Sequence, residues 1–263
     1  MSDILNRHPC FGAKRGVYGR IHLPVAPQCN ISCRYCDKKC SCANESYPGL
    51  TTQILHPEEV VDYIKRHDTV ENNLQVIGIA GPGEPLYNNN TFLSLERLKE
   101  VFPEKILCFS TNGFLLPQSL ERLIQLGVDC ITVTLNTLRL ETAKQIYRGI
   151  DNLQEFLSCQ QQGVIQSVQA GVLVKINTVL IPDVNQNEIR ELAQFAQKAG
   201  ATIMNIMPLI PLGDFKGRRA PTAEELENAR VLAGCFVRQH RGCTQCRADA
   251  VGIPRCGSKC HLG

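Results

Sequence analysis

Cys29, Cys33 and Cys36 place three thiols in a CxxxCxxC spacing just after an apolar segment. A protein that ligates every iron of a 4Fe-4S cluster spends four cysteines on it. Three thiolates leave one iron open, and an open iron on an electron-donating cluster is what a small molecule must chelate to be cleaved reductively. The chain has 14 cysteines in 263 residues, which also invites a disulfide scaffold. Such scaffolds are short chains with modest cores. At 43% hydrophobic content this chain can bury a sizeable core, so its thiols read as metal ligands in a reducing compartment.

Other residues can join this chemistry. The run Gly78-Ile79-Ala80-Gly81-Pro82-Gly83-Glu84-Pro85 puts glycines at a strand end, where backbone can approach a ligand closely; a tight loop is the plain alternative. Cys108 lies near the end of another apolar segment, just before Ser110-Thr111-Asn112-Gly113, so its position suits a ligand at an active-site mouth. Cys130, Cys159 and Cys235 read as small buried hydrophobes. The tail carries Cys243-Thr244-Gln245-Cys246, then Cys256 and Cys260. These four fit a zinc site loosely, so zinc stays an alternative for them.

The elements that must position these groups follow from periodicity. Segments 20–25, 74–80, 105–110, 130–135, 171–180 and 202–208 are apolar and β-rich and read as six strands. Between them, His56 to Arg66, with Pro57 in its first turn, Ser119 to Leu126 and Glu188 to Lys198 read as amphipathic helices. Pro221 to His240 reads as one long helix, with Thr222 as N-cap ahead of Glu224 and Glu225. Alternating β and α with near-continuous apolar strands indicates a parallel sheet buried on both faces. Six units are too few for a closed eight-stranded barrel, so the expected class is α/β, a partial (βα)6 TIM-like barrel with its chemistry at the C-terminal mouths of the strands. Residues 1–19 form an N-terminal extension, 20–220 the core barrel, and 221–263 a C-terminal helix and cysteine-rich tail.

Composition excludes other classes. There is no apolar run near membrane-spanning length and no charged-apolar-small leader, so a cytoplasmic protein without a membrane partner is expected. The net charge is +3, with basic residues spread out apart from short clusters such as Lys216-Gly217-Arg218-Arg219. That is a weak footprint for nucleic acid, and none is expected as partner.

Several pieces occur together in order: His8-Pro9-Cys10; Ala26-Pro27-Gln28-Cys29-Asn30-Ile31-Ser32-Cys33-Arg34-Tyr35-Cys36; Cys42-Ala43-Asn44-Glu45-Ser46 with Pro48-Gly49; and Ile79-Ala80-Gly81-Pro82-Gly83. They continue with Ser110-Thr111-Asn112-Gly113, Val174-Lys175-Ile176-Asn177, Asn205-Ile206-Met207-Pro208-Leu209-Ile210 and Cys243-x-x-Cys246-Arg247-Ala248-Asp249-Ala250. In these the chain resembles the radical S-adenosylmethionine (SAM) superfamily and, within it, the NifB family, which builds the core of the nitrogenase cofactor. The chain ends at Gly263, so the form expected is the minimal one without a fused carrier domain.

The resemblance implies a 4Fe-4S cluster on Cys29, Cys33 and Cys36 that binds SAM, with Tyr35 near the adenine. Gly81, Pro82, Gly83 and Glu84 form the SAM-binding turn. It also implies two auxiliary 4Fe-4S clusters as substrates, with ligands among Cys10, Cys42, Cys108, Cys243 and Cys246, and with His8 or His22 as a candidate histidine ligand. In the family's reaction one SAM methylates a cluster sulfide. A second SAM yields a radical that takes hydrogen from that methyl, and the carbon becomes the carbide of a fused 8Fe-9S product. Implied partners are SAM, an iron-sulfur cluster donor, a reductant, and a carrier or scaffold protein. One departure stands out: Tyr47 occupies the place of the arginine in the family's Glu-x-Arg-Pro-Gly, and a phenol cannot reproduce a guanidinium's fork of donors. Arg34 or Lys38 could compensate. Two other functions stay open, a radical SAM enzyme acting on an organic or peptide substrate and a non-catalytic iron-sulfur carrier; a carrier would form no 5'-deoxyadenosine.

Overall fold

The structure, a computed structural model, describes residues 2–12, 16–37, 45 and 47–254. All six expected strands form: β1 (Gly19–His22), β2 (Leu74–Ile79), β3 (Ile106–Thr111), β4 (Cys130–Thr134), β5 (Leu173–Leu180) and β6 (Ile203–Pro208). They pair in parallel in chain order, and a short β7 (Val251–Gly252) adds antiparallel to β1 at the open edge. This is the expected partial (βα)6 barrel. Its helices are α1 (Ser2–Arg7) ahead of β1, then α2 (Val60–His67), α3 (Asn89–Val101), α4 (Leu116–Gln125), α5 (Leu140–Ile146), α6 (Leu153–Gln169), α7 (Ile189–Ala199) and α8 (Ala223–Gly234). None of the described helices is long and apolar enough to cross a membrane.

Because side chains alternate along a strand, each strand serves two environments. Ile77, Leu107, Phe109, Ile131, Val133, Val174, Ile176, Met204 and Ile206 belong to the main core shared with the helices. Each such side chain contributes about 2 kcal/mol of apolar burial. The alternate residues Val76, Ile106, Cys130, Leu173 and Ile203 form a separate apolar layer around the fully buried Phe11. They come from the strand starts, so Phe11, following α1, closes the barrel's lower end.

Two expectations change. The helix expected over Pro221 to His240 stops at Gly234. Beyond it the chain turns and runs beside β6, with the Met204 amide donating to the Arg238 carbonyl at 2.9 Å and the His240 amide donating to the Met204 carbonyl at 2.7 Å. An edge strand needs partners for its backbone, and that demand outweighs helix propensity past a glycine. Its start is as expected: Thr222 Oγ1 accepts from the Glu225 amide at 3.1 Å and the Glu225 carboxylate accepts from the Thr222 amide at 2.8 Å. Cys108 also moves. It sits third in a strand that runs on to Thr111, level with Gly78 and Cys130, so it lies inside the barrel rather than at the mouth.

Candidate active site

The CxxxCxxC segment leaves β1 and crosses the barrel mouth, where two seams pin it. On one side the glycine turn runs along it. The Gly83 amide donates to the Ala26 carbonyl at 2.6 Å and the Glu84 amide to the Gln28 carbonyl at 2.8 Å. A Cβ on Gly83 would lie 2.1 Å from the Gln28 carbonyl oxygen, so only glycine allows this approach. On the other side Ser32–Cys33 pairs with Tyr147–Arg148. Outside that ribbon Asp214 accepts from Arg34 at 3.2 Å and from Arg148 at 2.8 Å. The three thiols form no disulfide and are held on a loop fixed at both ends.

Glu84, expected in the SAM-binding turn, is buried and used as a brace. Its carboxylate accepts from the Leu86 amide at 3.1 Å, Thr111 Oγ1 at 2.6 Å and the Asn112 amide at 2.6 Å. It thereby ties the end of β2 to the end of β3. Asn112 continues the link, donating from Nδ2 to Asn30 Oδ1, between Cys29 and Cys33, at 2.8 Å.

Beside this loop lies a cavity of about 140 Å³ whose lining includes Tyr35, Cys36, Asp37, Tyr47, Met207 and Gln245. A larger groove of about 230 Å³, bordered by Pro182, Pro221 and residues of α8, is lined by no thiol, so size alone does not mark the site. Tyr35 accepts from Asn136 Nδ2 at 2.8 Å, and the same amide donates to Tyr147 at 3.0 Å. Burial, then the nearby Cys33, pushes the Tyr35 phenol well above its ordinary range, so it stays protonated. Asn136 is fully buried and was not flagged by sequence, although a polar residue closing an apolar strand is the available signal. Tyr47 is buried at the cavity wall, where burial and then the Glu45 carboxylate push its phenol up. Arg34 is committed to Asp214, and Lys38 lies outside the described residues.

Below the mouth, the inward positions change from apolar to reactive. Cys10 follows α1 and Cys108 comes from β3, both packed on the Phe11 layer, while Cys243 of the tail packs on the cluster that also takes Cys29 and Cys33; these three and Cys246 all act electrostatically on Lys175 of β5. All four thiol residues are partly exposed. Burial raises the Cys10 thiol and pushes Cys108 up to about 12, with Lys175 opposing in both cases. Cys130 lies beside Cys108 and burial drives its thiol far up, consistent with an inert apolar role. Cys42, Cys40, Cys256 and Cys260 lie outside the described residues.

The two candidate histidines are distinguished by their partners. His22 Nδ1 is 2.9 Å from the Arg247 carbonyl, which only accepts, so Nδ1 carries the proton and Nε2 keeps its lone pair. The ring lies over Gly78, where a Cβ would come within 2.9 Å of His22 Cδ2. His8 has the opposite arrangement. Its Nδ1 accepts from the Cys10 amide at 3.1 Å, leaving a buried Nε2–H without a partner. Burial lowers the pKa of both rings and keeps them neutral.

The tail is locked onto the barrel. Asp249 accepts from Arg247 Nε at 2.7 Å and from the Thr52 amide at 2.8 Å, while Arg247 Nη1 donates to the Glu45 carbonyl at 2.6 Å. These contacts of Asp249 hold the tail in place. Arg20 Nη2 donates to Cys246 Sγ at 2.9 Å. Among the described residues no three His, Cys, Asp or Glu side chains converge as the ligands of one metal ion would. Of the four cysteines for which zinc is the alternative, Cys256 and Cys260 lie outside the described residues.

Comparison with known proteins agrees with this geometry. Residues 23–196 match the Radical SAM superfamily. The FeMo cofactor biosynthesis protein NifB of Methanocaldococcus infernus is 42% identical, over 96% of this chain and 87% of that protein. The protein of the same name from Klebsiella pneumoniae is 41% identical over 96% of this chain but only 58% of its own length, so this chain spans little more than half of that relative. Among solved structures, Streptococcus suis SuiB aligns with a TM-score of 0.63 at 14% identity, covering 86% of this chain and 50% of SuiB, a likeness of fold. The chain is a radical SAM enzyme, and it belongs to the NifB family.

Proposed function

We propose that this enzyme acts in nitrogenase cofactor biosynthesis, transferring SAM-derived carbon into a pair of 4Fe-4S substrate clusters that fuse to the 8Fe-9S-carbide precursor. The observation that carries this reading is the second set of thiols, Cys10, Cys108, Cys243 and Cys246, brought from α1, β3 and the tail into electrostatic range of a common neighbour, Lys175.

The residues present suit the resident cofactor: three free thiols on a doubly pinned loop, beside a cavity and a glycine turn. Cys29, Cys33 and Cys36 would hold it, and with SAM bound it supplies reductive cleavage to a carbon radical. The backbone of Gly81 to Gly83 lets the methionine end approach, and Tyr35 and Tyr47 wall the cavity against water. Cys10, Cys108, Cys243 and Cys246, together with the Cys42 that the family resemblance adds, would hold the substrate clusters. His22 is the histidine with a lone pair to offer, its Nδ1–H bond to a carbonyl being the usual support of a ligating imidazole. Few protein ligands per cluster suit substrates that must later leave. Two 4Fe-4S clusters bring eight sulfides, so the scheme also needs an external source of the ninth sulfur, beside a cluster donor, a reductant and an acceptor carrier protein.

Anaerobic reconstitution followed by methyl-labelled SAM and dithionite tests this. Label should enter an extractable iron-sulfur cluster; label found only in a small organic product would transfer the assignment to another radical SAM reaction. Gly83→Ala probes the turn: the added methyl must displace the Gln28 carbonyl, and SAM binding by calorimetry is expected to weaken by about tenfold or more. Unchanged affinity would remove the turn from the site.

A further inference from the structure

We infer that Lys175 is the charge bridge on which binding of the second substrate cluster depends, a positioning residue whose role rests on the maturase reading above. Lys175 projects from β5 between Thr132 of β4 and Ile203 of β6, and it is only 8% exposed. Among the described residues no carboxylate pairs with it. Its Nζ lies 5.5 Å from the centroid of the Phe11 ring, a face that favours and aims a cation. If packing were the only requirement, an interior barrel position would be filled by an aliphatic side chain. A buried ammonium without a counter-ion is costly, so its charge is matched to something the bare chain does not contain.

The thiols indicate what that is. Cys10 and Cys108, from α1 and β3, pack on the layer of Phe11 over whose ring Lys175 lies, and the charges of Cys243 and Cys246 of the tail act on Lys175 as well. Iron binding deprotonates thiols, and a 4Fe-4S core ligated by thiolates is a net anion. Two such anions must sit side by side to fuse, in an interior where their repulsion is poorly screened. A cation in range of both thiol sets offsets that repulsion without ligating either cluster. Arg20, a second cation acting on Cys10, is already engaged with Cys246 Sγ at 2.9 Å and with the Gly252 carbonyl, so it serves the tail side. The geometry therefore gives the two clusters unequal dependence on Lys175: the first to bind meets no repulsion, and the second does.

The test uses the full chain with Cys29, Cys33 and Cys36 replaced by Ser, so that only auxiliary iron is counted, with and without K175M. After anaerobic reconstitution, iron and acid-labile sulfide per chain should fall to half in K175M. The midpoint potential of the remaining cluster should move to a more negative value, because a nearby positive charge favours the reduced state. Metal-free K175M, having lost a buried charge, should melt no lower than its parent. Full iron at an unchanged potential, loss of all iron, or a lower melting temperature of the metal-free variant would each overturn the inference. A parent that binds no auxiliary cluster at all would instead refute the maturase reading, so the two failures are distinguishable.

Discussion

Replacing Cys33 by Ala is expected to abolish reductive cleavage of SAM while iron bound elsewhere in the barrel stays in place. Cys33 sits in the short ribbon opposite Tyr147 and packs against the cluster of Ile31, Ile146, Phe156 and Val179. Alanine keeps the Cβ and all backbone pairing, so the loop should retain its course. What is lost is one of three thiolates, and a cubane held by two is poorly retained. The assay is 5'-deoxyadenosine formed on reduction with dithionite, which should fall to the reductant-only background, together with an iron count lower by one cluster. Cleavage at the parental rate would refute the role of this cysteine. Loss of all iron would mean that the two thiol sets are not independent.

Asp249→Asn is expected to destabilise the metal-free protein by about 3 kcal/mol, a large share of the 5–15 kcal/mol typical of a folded chain. The Arg247 and Asp249 side chains are 2% and 5% exposed, and removing one charge leaves the other buried and uncompensated. Burial alone would raise the Asp249 pKa, but hydrogen bonds from Arg247 and Thr52 outweigh it and the net shift is downward. A carboxyl with a lowered folded pKa stabilises fully above its unfolded value of about 3.9 and loses that contribution as pH falls through the folded value. Stability lent by the tail should therefore persist through neutral and mildly acidic pH and vanish in strong acid, whereas in Asp249→Asn this acid dependence should be absent. Thermal melts across pH check both points. Because Cys243 and Cys246 ride on the same tail, auxiliary iron should fall as well; an unchanged melting temperature would show that the ion pair does not hold the tail.

Much of this was readable in the chain. The six strands and the parallel class follow from apolar runs alternating with amphipathic stretches, a local property that survives without knowledge of contacts. The CxxxCxxC spacing has the same character, since its ligands come from one loop. Cys10, Cys108, Cys243 and Cys246 are different: they are far apart in sequence, and only resemblance grouped them before their common neighbour Lys175 did so in space. Periodicity states which residues share a face but not the depth of a residue along the barrel, and so Cys108 was expected at the mouth when it lies inside. The end of α8 was misjudged because the competing partner, β6, is remote in sequence.

Sequence by itself determined the barrel class, the thiols on the first loop and the glycine turn beside it, because each is encoded by neighbours along the chain. Tertiary structure decided which histidine keeps its lone pair, that Glu84 braces the mouth, that Asn136 anchors Tyr35, and that a lysine stands among four distant thiols. Those are properties of groups meeting across strands. Hydrogen-bond direction, burial and charge compensation exist only once the sheet has curled and brought the partners together.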